Sequence, residues 1–250
     1  VEGVRPDNGL PLPEGSRAWL QMNPDGNPNL PEEYLEELSH LPERQRMRFR
    51  DGEYLSEVPG TLWPIDVIDA CRVETAPNLR RVVVSVDPSG SDGVNGDLQG
   101  IVIAGRGEDG KYYVLADKSC KLPPAGWGKR AVEMYHKFGA DVLVAEANFG
   151  GAMVESNIRN IDPNVKVKLV KASRGKHVRA EPIAALYEDT DGKGPKVHHV
   201  GRFPEVEDQM AAFTTDGYQG HGSPDRADAL VWALTELTSG SMYDVRALAS

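Results

Sequence analysis

The spacing of apolar residues changes character near residue 81. Before it the apolar runs are short, nine of the 18 prolines fall within residues 1–64, and residues 1–30 read as extended loop. Pro31-Glu32-Glu33-Tyr34-Leu35-Glu36-Glu37-Leu38 reads as a short helix, with proline in its first turn and acids near its N-terminus. Glu43 to Arg50, crowded with Arg44, Arg46, Arg48 and Arg50, reads as a second, ending at Asp51-Gly52. From Arg81 the pattern is that of a packed core. RVVVSV at 81–86 is a β-branched run suited to a strand buried on both faces. Gln99 to Ala104 and Tyr112 to Ala116 predict two more strands joined by a turn at Glu108-Asp109-Gly110. Beyond them the pattern predicts helix over Lys129 to Phe138, strand over Val142 to Ala145, helix over Gly150 to Asn160 and strand over Val165 to Val170. Helix over Arg179 to Tyr187, a short strand over Val197 to Val200, helix over Pro204 to Ala212 and a closing helix over Pro224 to Leu237 complete the series.

Three consecutive strands followed by alternating helices and strands predict an α/β fold with a mixed central sheet and helices on both faces. An irregular, partly helical N-terminal arm over residues 1–76 would precede the folded domain at 77–250. The composition is that of an ordinary globular chain, 40% apolar and 26% charged over 250 residues. Cys71 and Cys120 are far apart and form no C-x-x-C pair, which excludes a disulfide framework or zinc ribbon and leads us to expect an intracellular protein. No run approaches the length of a membrane span, and the first residues carry no apolar signal core, so no membrane partner is expected.

Acidic residues interrupt the apolar pattern at three places. Asp87 directly follows RVVVSV, and Glu146 follows Asp141-Val142-Leu143-Val144-Ala145, so each carboxylate stands at the C-terminal end of a buried strand, the edge where α/β sheets bind ligands. The third place is Ser223-Pro224-Asp225-Arg226-Ala227-Asp228-Ala229-Leu230, where Pro224 suits a first helical turn and Asp225 and Asp228 are neighbours at i and i+3. Complementarity with the helix dipole accounts for Asp225. It accounts less well for Asp228, which adjoins the apolar stripe. If this helix starts beside the two strand ends, Asp87, Glu146, Asp225 and Asp228 meet at one point. An all-oxygen donor set of this kind favours Mg²⁺ or Mn²⁺ over zinc, and two such ions about 3.5–4 Å apart serve phosphodiester hydrolysis.

The motifs VSVDPSG, VLVAEANFGG and SPDRADALVWAL, in that order, resemble the nuclease domain of phage terminase large subunits, whose fold is RNase H-like. The Pro-Asp-x-x-Asp-Ala-Leu ending is also similar to that of RuvC-type junction resolvases. Upstream, NPNLPEEYLEELSHLPERQRMRFRDGEYL and Leu62-Trp63-Pro64 resemble the stretch joining a terminase ATPase domain to its nuclease. The resemblance implies Asp87 as the bridging metal ligand, Glu146 and Asp225 as further ligands, and Asp228 as a fourth ligand or a supporting acid, around two divalent cations. It further implies double-stranded DNA as substrate, a terminase ATPase domain, small subunit and portal as partners, and the host cell cytoplasm as location. Asp97 matches a position often acidic in that family, although a polar turn before a strand explains it as simply. The segment Gly105-Arg106-Gly107-Glu108-Asp109-Gly110-Lys111-Tyr112 has the glycine and lysine spacing of a phosphate loop, but it carries Tyr112 where Ser or Thr is needed and precedes a strand rather than a helix. It reads as a hairpin turn, and no ATP hydrolysis is expected of this chain.

The net charge is 28 − 38 = −10, which argues against broad nucleic-acid affinity. Residues 166–202 reverse the sign, with nine basic against four acidic residues, or +5. Within them ASRGKHVRAEPI resembles the family segment after the second acidic strand. Arg174, Lys176 and Arg179 there, with Lys171 and the Lys193 hairpin, are the candidate phosphate contacts, against the plainer reading of a solvated surface. His221, just before the Asp225 helix, is a candidate proton shuttle or an exposed loop residue. The expected function is a metal-dependent endonuclease of viral DNA packaging. The rivals are a structure-selective resolvase and a non-catalytic DNA-docking module.

Overall fold

The computed structural model describes residues 29–39, 60–88, 98–147, 151–173, 175–189 and 192–247. The chain divides into two compact units, Val1–Ser56 and Glu57–Ser250. In the first, α1 (Glu32–Ser39) forms as expected, with Glu32 and Glu33 in its first turn. The helix expected over 43–50 and Asp97 lie outside the described residues.

The second unit is built on a seven-stranded mixed sheet of order β1-β7-β4-β3-β2-β5-β6. Its strands are β1 (Arg72–Val73), β2 (Leu79–Asp87), β3 (Gly100–Gly107), β4 (Tyr112–Asp117), β5 (Val142–Glu146), β6 (Val167–Val170) and β7 (Val197–Val200). The β2-β3-β4 meander is antiparallel, and its β3–β4 turn is the Gly105–Tyr112 segment, where Gly110 takes φ +82°. Strand β5 pairs with β2 in parallel, β6 with β5, and β7 with β4. The uninterrupted β-branched run of β2 serves both faces: Val82, Val84 and Val86 enter one core, and Val83 the other.

The first core lies under α3 (Pro124–Lys137) and α4 (Gly151–Ile161). Helix α3 starts at Pro124 rather than Lys129, because proline suits the first turn and the extra turn buries Trp127. The second core is dominated by α7 (Asp225–Ala247), whose Ala227, Leu230, Val231, Leu234 and Leu237 are buried against β2 and β3. Helices α5 (Lys176–Ala184) and α6 (Pro204–Ala211) flank it. A 3₁₀ turn at Ala185–Tyr187 replaces the last turn expected of α5.

Residues 60–76, grouped with the arm by their sequence, pack within the second unit. Here α2 (Ile65–Ala70) and β1 form, and Trp63, Ile68 and Cys71 are buried in the α7 core. Arg72 joins Glu207 on α6 at 2.8 Å, and Glu207 in turn meets the buried ring of His199 on β7 at 3.0 Å. The runs are too short, and too rich in polar residues, for their apolar spacing to have predicted this. A small hairpin, β8 (Phe213–Thr214) with β9 (Gly217–Tyr218), completes the unit.

Candidate active site

Four acids come to one edge of the sheet through three separate elements. Val86 on β2 registers with Ala145 on β5, so Asp87 and Glu146 follow as the next residues of two parallel neighbouring strands, roughly 4.8 Å apart in strand spacing. On its other side Asp87 registers with Gly100 of β3. A Cβ at Gly100 would run into the backbone carbonyl of Asp225, so glycine is what allows the first turn of α7 to sit directly on the strand. That contact sets Asp225 and Asp228 beside the two strand ends.

The first turn of α7 is tied to the neighbouring helix α6. Gln209, on α6, accepts hydrogen bonds from the backbone N–H groups of Arg226 at 2.9 Å and Ala227 at 3.1 Å through its Oε1. Exposed donors of a helix start are normally met by a local Ser, Thr, Asp or Asn. Gln209 takes that role for two donors of the α7 start. Asp225 is 6% and Asp228 1% exposed.

Trp232 and Arg179 both hold Glu146. The indole N–H of Trp232 donates to its Oε2 at 2.6 Å, and the Arg179 guanidinium lies 3.3 Å from the same oxygen. Arg179 also stacks 4.5 Å over the Trp232 ring and reaches Asp228 at 3.6 Å. Lys176, the first residue of α5, places its Nζ 2.5 Å from Asp228 Oδ2 and donates to Ser223 Oγ at 3.2 Å.

The electrostatics follow from this crowding. Burial, and then the charges of Asp228 and Glu146, push the Asp87 carboxyl well above the usual carboxylate range. Burial also raises Asp228, against the opposing pull of Lys176 and Arg179. For Lys176 burial works against the charged form, but the attraction of Asp228 prevails and its pKa is raised. Among the described residues, four acids face two cations here. The buried oxygens of Asp228 face the Lys176 ammonium at 2.5 Å and the Arg179 guanidinium at 3.6 Å. A hard divalent cation suits such a donor set. Among the described residues no three His, Cys, Asp or Glu side chains already stand as a closed ligand set; Lys176 and Arg179 stand among the acids instead.

The basic residues expected to meet phosphate are distributed unevenly. Lys176 and Arg179 are within the acidic cluster, and Lys171 is exposed one residue beyond Val170, which registers with Glu146. Arg174 lies outside the described residues. Lys193 precedes β7, whose Val197 registers with Tyr112 and, through it, with Arg106. That is the opposite end of β3 from Gly100, so the fold does not bring Lys193 to the acids. His221 is an exposed loop residue. Two site residues escaped the sequence reading. Trp232 follows Asp228 by four residues and so shares its helix face, which is the signal that could have found it; Gln209 carries no local signal.

Residues 84–237 match the family model of the terminase RNaseH-like domain. No curated protein matches the chain. Among solved structures, the large terminase nuclease of thermophilic phage G20c is similar at 14% identity and a TM-score of 0.50, covering 70% of this chain and 98% of that one. The nuclease domain of the large terminase subunit gp2 of bacterial virus Sf6 gives 14% identity and 0.51, covering 69% and 97%. The HK97 bacteriophage large terminase gives 14% and 0.51, covering 69% of this chain and 43% of that larger one.

Proposed function

Since the chain belongs to the terminase RNaseH-like domain family, we propose that it is a divalent-metal-dependent endonuclease that cuts double-stranded DNA during viral genome packaging. The observation that carries this reading is the convergence of Asp87, Glu146, Asp225 and Asp228, two of them pushed toward protonation by burial and mutual repulsion. Asp87, Glu146 and Asp225 would hold the ions, two Mg²⁺ or Mn²⁺, with Asp228 as a fourth carboxylate. Bound there, the ions would activate a water and stabilise the leaving oxygen of a phosphodiester.

The protein's own contribution is position. Strand ends hold Asp87 and Glu146 on rigid backbone, Trp232 and Arg179 orient Glu146, and Gln209 secures the helix start that carries Asp225 and Asp228. Lys171, Lys176 and Arg174 are the candidate contacts to the DNA backbone, which would make binding sequence-tolerant and salt-dependent. In the packaging motor the domain would work with an ATPase domain, a small subunit and a portal in the host cytoplasm. We assign no ATP hydrolysis to this chain. No described helix is long and apolar enough to cross a membrane.

The test is conversion of supercoiled plasmid to nicked and linear forms in Mg²⁺, Mn²⁺ or EDTA, with wild type beside Asp87→Ala. The expected result is cutting that needs the metal and disappears in the variant. Equal cutting by Asp87→Ala would remove the assignment, and Mn²⁺ binding without any cutting would favour a DNA-docking module.

A further inference from the structure

The two cations among the acids are held in different ways. Arg179 is 11% exposed, pairs with both Glu146 and Asp228, and has its guanidinium against the Trp232 ring. It cannot move without disturbing that stack and the orientation of Glu146. Lys176 stands one helical turn earlier, at the very start of α5, and its side chain is 43% exposed. Among the described residues it pairs with Asp228, donates a hydrogen bond to Ser223, an exposed loop residue, and is attracted by Asp87 and Asp225. A flexible four-carbon stem can carry this ammonium into solvent with no change in packing.

Asp228 cannot be left alone in the same way. At 1% exposure its charge is costly to bury, and Arg179 at 3.6 Å balances it less closely than Lys176 does at 2.5 Å. The ammonium supplies that balance from 2.5 Å. A small divalent ion binds carboxylate oxygen at about 2.0–2.1 Å. With the Lys176 nitrogen 2.5 Å from Asp228 Oδ2, one lone-pair direction of that oxygen is taken, and a dication on the same carboxylate would face a like charge within a few ångströms in a buried setting. Ammonium and metal therefore compete for this carboxylate.

We propose that Lys176 is a built-in competitor for the divalent ion: it balances Asp228 while the site holds no metal, and a metal loads only by displacing it. Arg179, by contrast, stays in place in both states as part of the wall. The inference rests on the metal-nuclease reading and adds a positioning role to a residue otherwise expected to act only on DNA. Its physical consequence is that metal affinity in the absence of DNA is held down by the chain itself.

The experiment is a calorimetric titration of Mn²⁺ into the whole protein without DNA, so that no cleavage enters the readout. Wild type is compared with Lys176→Ala, Lys176→Met, which keeps the bulk of the stem, and Lys176→Arg, which keeps the charge. Removing the ammonium should tighten Mn²⁺ binding at least tenfold in both neutral variants, while Lys176→Arg stays within about threefold of wild type. Neutral variants that bind as wild type does, or more weakly, would overturn the competition and leave the metal-nuclease reading standing. If all four proteins, folded by circular dichroism, bind no Mn²⁺, the metal-site reading fails and this inference with it. If Lys176→Ala does not fold, Lys176→Met decides.

Discussion

Asp87 illustrates how a site can hold a residue that weakens the fold. A carboxyl whose pKa lies above its unfolded value keeps its proton longer in the folded chain. Stability therefore falls as pH rises through the unfolded pKa and up to the folded one. At neutral pH and without metal, Asp87→Asn should raise the melting temperature by a few degrees while abolishing cleavage, and thermal scans beside the plasmid assay check both. Adding Mg²⁺ should raise the melting temperature of wild type more than that of the variant, since an ion that binds only the folded state stabilises it. Trp232 is the complementary case, because its indole N–H is what directs Glu146. Trp232→Phe keeps most of the apolar contact and loses the donor. We expect a cost of about 1–2 kcal/mol in urea unfolding, and roughly tenfold slower cutting, about 1.4 kcal/mol at the transition state.

Strand and helix meet at Gly100, where the pairing with Asp87 and the carbonyl of Asp225 leave no room for a side chain. Gly100→Ala should destabilise the protein by about 3 kcal/mol, and the fraction that folds should cut poorly because α7 is pushed away from the strand ends. A chemical denaturation curve and a metal titration on the folded fraction distinguish the two effects. On the far side of α6 the join is ionic. Burial raises the Glu207 carboxyl, but hydrogen bonds from His199 and Arg72 outweigh it and hold the pKa at about 2, against 4.5 for an ordinary glutamate. The difference corresponds to stability on the order of 3 kcal/mol. It is present in full above pH 4.5 or so and lost as pH falls toward 2, the sign for an acid whose folded pKa is depressed. Glu207→Gln should flatten this part of the acid-unfolding profile and lower stability at pH 7.

For the chain as a whole, the boundary between arm and domain is the clearest point of difference between pattern and packing. A chain starting at Glu57 should melt cooperatively, whereas one starting at residue 77 loses Trp63, Ile68 and Cys71 from the α7 core. At about 1.5–3 kcal/mol for each fully buried side chain, the shorter chain should be less stable by about 5 kcal/mol or more. Calorimetry of the two truncated proteins tests this.

What could be read from the amino-acid order was whatever repeats at short range. Period and β-branching marked β2, β3, β4 and β5, and the meander, because a strand buried on both faces has to be apolar throughout its length. Asp87, Glu146 and Asp228 were legible for a related reason: a charge that interrupts or adjoins an apolar run has no packing explanation. The packed fold alone decided which distant groups would meet. Gln209 caps a helix that starts 16 residues later. Trp232 serves Glu146 rather than the core alone, and Lys176 and Arg179 turn inward to the acids while Lys193 goes to the opposite end of the sheet. These assignments depend on strand register and on how closely α7 approaches β3 at Gly100. Both come from long-range packing, which leaves no periodic trace along the chain.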